Sequence, residues 1–170
     1  MNDHVNDHDR DTLLAAAVRL RTGGRPEEAR QRLLALCAAF PADAEVAYQT
    51  AWVHDVLGLE AEAVPFYERC LDGTGLSEED RRGALLGLGS TCRVLGQYER
   101  AVEVLRGGVE RFPDDGALRT FLAMALFNTG DHHESTQLLL GLLAATSEDP
   151  HVRQYRSAIE HYAGDLHETI

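Results

Sequence analysis

The amino-acid sequence predicts an all-α fold of about four antiparallel helical hairpins followed by one capping helix. Glycine recurs at positions 24, 58, 96, 130 and 164, in steps of 34, 38, 34 and 34 residues, and each glycine closes an amphipathic segment. A small residue follows the first four glycines five positions later, at Ala29, Ala63, Ala101 and Ser135. A period of this length is typical of stacked helical repeats.

The same physical requirements explain each hairpin. The chain must turn back between two helices, and glycine adopts the left-handed backbone conformation that such a turn needs. Two helices approach closely only where both present small side chains. This accounts for a second set of small residues on the first helix of each hairpin: Ala17, Ala51, Gly89 and Ala123. Proline after a second helix prevents its continuation, as at Phe40-Pro41 and Phe112-Pro113.

In chain order, we expect helices at 10–22, 26–39, 43–57, 60–72, 78–95, 98–111, 114–129, 132–146 and 149–163. Pro65 lies inside the fourth of them, where it predicts a kink or a late helix start. The segment CLDGTGLSEEDRR then replaces a proline turn, and Ser77 with Asp80 predicts an N-cap for a lengthened fifth helix. The last helix is predicted to cap the array through an apolar stripe of Val152, Tyr155, Ile159 and Tyr162.

The sequence therefore predicts a single domain over 10–170 after a disordered acidic tail over 1–9. The repeats are expected at about 10–43, 44–77, 78–115 and 116–148, with the capping helix at 149–163.

The pattern of glycine, small crossing residues and proline resembles the tetratricopeptide repeat. The second and third units are similar to a bacterial subgroup of that family, tetratrico peptide repeat group 5, in the segments AVPFYERCL, GLSEEDRRGALLGLGSTCRVLGQYERAVEVLRGGVERFPDD and ALRTFLAMALFNTGDHHES. The resemblance implies a right-handed superhelical solenoid whose concave groove is lined by the first helix of each hairpin. It also implies a protein-binding scaffold or adaptor.

Oriented by this resemblance, the groove is expected to hold Leu14, Val18, Arg21, Glu45, Tyr48, Trp52, Asp55, Leu86, Ser90, Arg93, Thr120, Met124 and Phe127. The aromatic and apolar members predict a strip that binds an apolar segment of a partner, because large exposed apolar patches are uncommon on monomers. An alternative is that Tyr48 and Trp52 pack between helices as core residues. Without lysine, the groove offers only Arg21 and Arg93 as cations, which argues against a lysine-based carboxylate clamp.

Composition narrows the classes of partner. The formal net charge is −12, which disfavours nucleic acid and anionic lipid. No apolar stretch is long enough to cross a bilayer, and MNDHVNDHDRD lacks the features of an export signal, so we expect a cytoplasmic protein. All 16 basic residues are arginine, which suggests a GC-rich bacterial genome.

Neither a metal, a cofactor nor a catalytic site is expected. Cys37, Cys70 and Cys92 lie in apolar runs, which predicts buried, unreactive thiols. The pairs His4/His8 and His132/His133 lack the further ligands that a metal site needs. The glycines of GLGSTC, at 87–92, follow no strand, so close helix packing explains them better than a phosphate loop.

The leading functional hypothesis is a module that binds a peptide or helix in the concave groove. One alternative is a homodimer that uses the same groove or the capping helix for self-association. A second alternative is a metal-binding or enzyme-associated subunit.

Overall fold

The computed structural model describes residues 7–169, which form ten helices and no strand. The helices are α1 (Asp7–Thr22), α2 (Pro26–Ala39), α3 (Ala44–Val56), α4 (Glu60–Asp72), α5 (Glu78–Val94), α6 (Tyr98–Arg111), α7 (Gly116–Thr129), α8 (His132–Thr146), α9 (Pro150–Gln154) and α10 (Arg156–Gly164).

The chain divides into two compact units between Leu95 and Gly96. Unit 1 contains α1 to α5 and unit 2 contains α6 to α10. The division falls at the turn of the third predicted hairpin, whereas the sequence predicted one domain over 10–170. That single domain and its repeat boundaries remain predictions.

The predicted hairpin turns have the expected backbone conformation at four of the five glycines. Gly24, Gly58, Gly96 and Gly130 have φ of 79°, 70°, 75° and 91°. Gly164 does not form such a turn, because it is the last residue of α10 and its φ is not in the left-handed region.

Two turns between hairpins are built in the same way. The N–H groups of Phe40 and Phe112 each donate to the preceding helix, and Asp43 and Asp115 then cap the following one. Asp43 Oδ1 accepts from the N–H of Val46 at 3.0 Å, and Asp115 Oδ1 accepts from Leu118 at 2.7 Å.

The turn before α5 differs, as the sequence predicted. Ser77 Oγ accepts from the N–H of Asp80 at 3.0 Å, which confirms the N-cap. The inserted residues contain a further left-handed glycine, Gly75, with φ of 85°.

The small residues predicted at the helix crossings are buried in both units. In unit 2, Ser135 Oγ on α8 donates to the carbonyl of Ala123 on α7 at 2.7 Å, so the two backbones meet at this point. The core of unit 1 is built around Leu14, Ala17 and Leu33.

Three local predictions need correction. Helix α1 begins at Asp7, so residues 7–9 are helical and do not belong to a disordered tail; residues 1–6 lie outside the described part. Of the kink or late start expected from Pro65, the late start is wrong, because α4 begins at Glu60 and continues through Pro65; the kink stays a prediction. The capping helix is interrupted at Tyr155, where φ is −102° and ψ is 12°. Tyr155 and Tyr162 are exposed, so they do not form the predicted apolar stripe.

Candidate partner-binding surface

The structure separates the predicted groove residues into three groups. Trp52, Met124 and Phe127 are exposed, with 41%, 41% and 62% of their surface accessible. Half-buried residues are Val18, Glu45, Asp55, Leu86, Ser90, Arg93 and Thr120. Buried residues are Leu14, Arg21 and Tyr48.

Tyr48 is a core residue, which corrects its placement in the groove. Its hydroxyl lies against Gly83 on α5, where an added Cβ would overlap the phenol. Burial raises the pKa of Tyr48 to about 12. The residue therefore turns inward because α5 presents glycine opposite it.

The residues of α3 that are exposed or line the groove differ from the predicted row at two positions, and one of them, Gln49, lines the groove although it is largely buried. Glu45 lies where predicted, but Gln49 and Val56 take the places assigned to Tyr48 and Asp55. Glu45, Gln49, Trp52 and Val56 follow a helical spacing of four, three and four residues, so they share one face of α3.

A groove of about 600 Å³ lies between α1 and α3 within unit 1. It is lined by Arg10, Asp11, Leu14, Ala15, Val18, Arg19, Glu45 and Gln49. Three of these, Leu14, Val18 and Glu45, were predicted to line the groove. Arg10 and Gln49 were not, although the spacing of Gln49 four residues after Glu45 could have identified it.

Arg10, near the start of α1, connects that end of the helix to the start of α3. Its guanidinium donates at 2.8 Å to both oxygens of Asp43, at 2.7 Å to Glu45 and at 2.7 Å to Asp11. The hydrogen bond to Asp43 is the main cause that raises the pKa of Arg10 above its ordinary value. Burial alone would raise the pKa of Asp43, but hydrogen bonds from Arg10 and Val46 outweigh it and lower that pKa.

At the other end of α1, Arg21 stacks on the single tryptophan of the chain. The guanidinium carbon lies 3.6 Å from the ring centroid of Trp52, and one terminal nitrogen donates to Gln49 Oε1 at 2.9 Å. Burial lowers the pKa of Arg21. Within residues 7–169, its Nε has no hydrogen-bond partner, and no carboxylate forms an ion pair with the guanidinium.

Asp55 connects three helices and does not project into the groove as predicted. Its carboxylate accepts from the hydroxyl of Tyr67 on α4 at 2.6 Å and from Thr91 Oγ1 on α5 at 2.9 Å. Burial raises the pKa of Asp55, although both hydrogen bonds oppose this change. Burial likewise raises the pKa of Tyr67.

In unit 2, the large hydrophobic side chains that α7 exposes are Met124 and Phe127. The ring of Phe127 lies 4.7 Å from that of His132, which is on the next helix. Thr120 Oγ1 donates to the carbonyl of Gly116 at 2.7 Å, so its hydroxyl is used within the helix.

The predicted buried thiols are confirmed. Cys37, Cys70 and Cys92 are free and buried, and burial raises the pKa of Cys70 to about 12. His4 lies outside the described residues. Residues 7–169 contain no three histidine, cysteine or acidic side chains arranged so that they could hold a metal ion. None of the helices in this range combines the length and hydrophobicity of a membrane span.

Comparisons with known proteins agree with this architecture. The family model for the tetratrico peptide repeat matches residues 44–166. Among solved structures, the chain is similar to MamA, residues 41 to the end, from Desulfovibrio magneticus RS-1: the TM-score is 0.73 at 20% identity, over 95% of this chain and 92% of that chain.

Two other solved structures are also similar. A tetratricopeptide repeat protein from Parabacteroides merdae ATCC 43184 gives a TM-score of 0.73 at 17% identity, over 95% of this chain and 62% of that one. Another structure of MamA gives a TM-score of 0.69 at 14% identity, over 95% and 79% of the two chains. No curated protein sequence matches the chain. The predicted fold class, an all-α helical repeat, is confirmed.

Proposed function

Because the chain belongs to the tetratricopeptide-repeat family, we propose that it binds a segment of another protein on the exposed face of its first helices. Tetratricopeptide repeats generally mediate protein–protein interaction. A binding module of this kind needs no cofactor, and we continue to expect a cytoplasmic location.

The observation that carries the proposal is the exposure of Trp52 on α3. A tryptophan next to the buried Tyr48 could pack into the core, yet 41% of its surface is accessible. Val56, one turn further along α3, is 51% exposed. Aromatic side chains with accessible rings are the usual anchors of protein interfaces.

Selection of binders from a displayed library of random peptides tests this proposal. Peptides that bind the parent chain should bind Trp52→Ala more weakly, with a loss of about 2 kcal/mol if Trp52 is a central anchor. Tyr162→Ala is the matched control, because Tyr162 is an exposed aromatic residue on α10 in the other unit. Failure to recover any specific peptide, or equal binding by both variants and the parent, would contradict the proposal.

Self-association remains a second candidate function, favoured by the exposure of the C-terminal helices. Tyr155 and Tyr162 are 60% and 54% accessible. Sedimentation over a range of concentrations should show a dimer that Tyr162→Ala dissociates if these residues form the contact. A chain that remains monomeric throughout that range would exclude this alternative.

A further inference from the structure

We propose that the groove between α1 and α3 binds an extended peptide segment of about five residues, with a basic side chain at one end and an acidic side chain at the other. This inference rests on the proposed function above and specifies the chemistry of the bound segment. It derives from the opposite, uncompensated charges at the two ends of the groove.

The end formed by the first turns of α1 and α3 has an excess of negative charge. Arg10 is surrounded by three carboxylates, so one guanidinium leaves two formal negative charges uncompensated. Asp11 and Glu45 line the groove, and 70% and 43% of their side-chain surfaces are accessible. A lysine or arginine of a bound segment can therefore contact both carboxylates without displacing Arg10.

The opposite end has an excess of positive charge. Arg19 lines the groove and is exposed. Arg21 does not line the groove itself, but it is 9% accessible and donates to Gln49, which does line it. No carboxylate within residues 7–169 forms an ion pair with either guanidinium. A buried cation without a counter-ion is costly, so a carboxylate that reaches Arg21 gains more than one at the surface.

The groove between these ends is lined by Leu14, Ala15 and Val18, which offer apolar contact and no charge. Arg10 and Arg21 are eleven residues apart on α1, or about 16 Å along the helix axis. An extended chain advances about 3.3 Å per residue, so about five residues span this distance. The charged side chains of the segment therefore belong at its first and last positions.

The direct experiment uses pools of capped pentapeptides titrated into the full chain. One pool has lysine first, glutamate last and random alanine, valine or leucine between them; the others replace lysine by norleucine, glutamate by glutamine, or both. Capping of both termini ensures that the carboxylate tested is that of a side chain. Titration calorimetry measures binding, because the fluorescence of Trp52 would be altered by the loss of the guanidinium in Arg21→Gln itself.

We expect the charged pool to bind about 10-fold more tightly than the pool with glutamine, and less tightly as salt is raised. This preference should disappear in Arg21→Gln and shrink in Arg19→Gln. The preference for lysine, about 3-fold, should disappear in Glu45→Gln. Arg153→Gln, which changes an exposed arginine in unit 2, should retain both preferences. If Arg21→Gln does not fold, Arg19→Gln and Glu45→Gln still decide the result.

Equal affinities for the charged and uncharged pools would overturn this inference. If the displayed library nevertheless yields peptides that depend on Trp52, the proposed function stands and only the charge pattern is wrong. If neither the pools nor the library yields binding, both proposals fail.

Discussion

The phenol ring of Tyr67 on α4 lies directly against the Cα atom of Gly87 on α5. A Cβ atom at Gly87 would overlap this ring, just as one at Gly83 would overlap the hydroxyl of Tyr48. The two glycines are one helical turn apart, so α5 receives two tyrosines on one face. Because Gly83 and Gly87 have no side chains, α3 and α4 can pack close to α5.

Gly87→Ala should destabilise unit 1 by about 1–3 kcal/mol, because the methyl group must displace a buried aromatic ring. Gly107→Ala is the matched control: this glycine is exposed in α6 and has nothing within 4 Å of an added Cβ. The control should gain about 0.5–1 kcal/mol from the better helix propensity of alanine. Thermal melting followed by circular dichroism measures both, and a Gly87→Ala variant as stable as the parent would contradict the packing described.

Ala101→Leu should also be destabilising, by about 1–3 kcal/mol or more, because Ala101 on α6 is fully buried. Ala61→Leu makes the same chemical change at an exposed position of α4 and should change stability by less than about 0.5 kcal/mol. Urea denaturation of the two variants compares them directly. Equal denaturation midpoints would mean that the crossing tolerates a larger side chain.

The raised pKa of Asp55 predicts a pH dependence of stability. The carboxyl of Asp55 binds a proton more readily in the folded state than in the unfolded state. The free energy of unfolding therefore falls as pH rises from the ordinary pKa of aspartate to the raised pKa of Asp55 in the folded protein. Asp55→Asn removes this titration. The difference in melting temperature, parent minus variant, should therefore decrease as pH rises above about 4. A difference that is constant with pH would contradict this assignment.

Asp43 should show the opposite dependence, because its pKa is lowered. Its ionised form stabilises the fold above the ordinary pKa, and this contribution is lost as pH falls through the lower folded value. Asp43→Asn keeps an oxygen that can cap α3 but loses the charge opposite Arg10. At neutral pH the variant should be less stable by about 1–2 kcal/mol. This cost should disappear in acid; if it persists there unchanged, the loss has another cause.

The three thiols should react slowly with a thiol reagent in the folded protein. All three are buried, and the raised pKa of Cys70 disfavours its reactive thiolate. Addition of denaturant should expose them and make all three react rapidly. Quantitative fast reaction without denaturant would show that these helices open readily.

Local chemistry made most helix boundaries predictable. Ser77 and Asp80 predict the start of α5 because an N-cap is satisfied by residues adjacent in sequence. The glycine turns are predictable for a similar reason, since positive φ is a property of one residue. Gly164 shows the limit of this rule: glycine also ends a helix without a left-handed turn.

The candidate surface was less predictable because it depends on residues distant in the sequence. Tyr48 and Trp52 are one helical turn apart on α3, and their sequence alone does not show which ring faces inward. Gly83 decides this by making room for Tyr48, while Arg21 covers the ring of Trp52. In the same way, nothing near Asp55 in sequence shows that Tyr67 and Thr91 both donate to it.

The repeated turn at Phe40–Asp43 and Phe112–Asp115 has a consequence for how such chains can lengthen. In each turn the phenylalanine N–H donates to the preceding helix and the aspartate caps the following one, and in the first turn Arg10 of α1 also donates to Asp43. A gene duplication whose endpoints fall within these two turns would thus join hairpins through a junction that already carries the cap of the following helix. Recombination at such matching joints offers a route by which repeat number can change while each new helix keeps its cap.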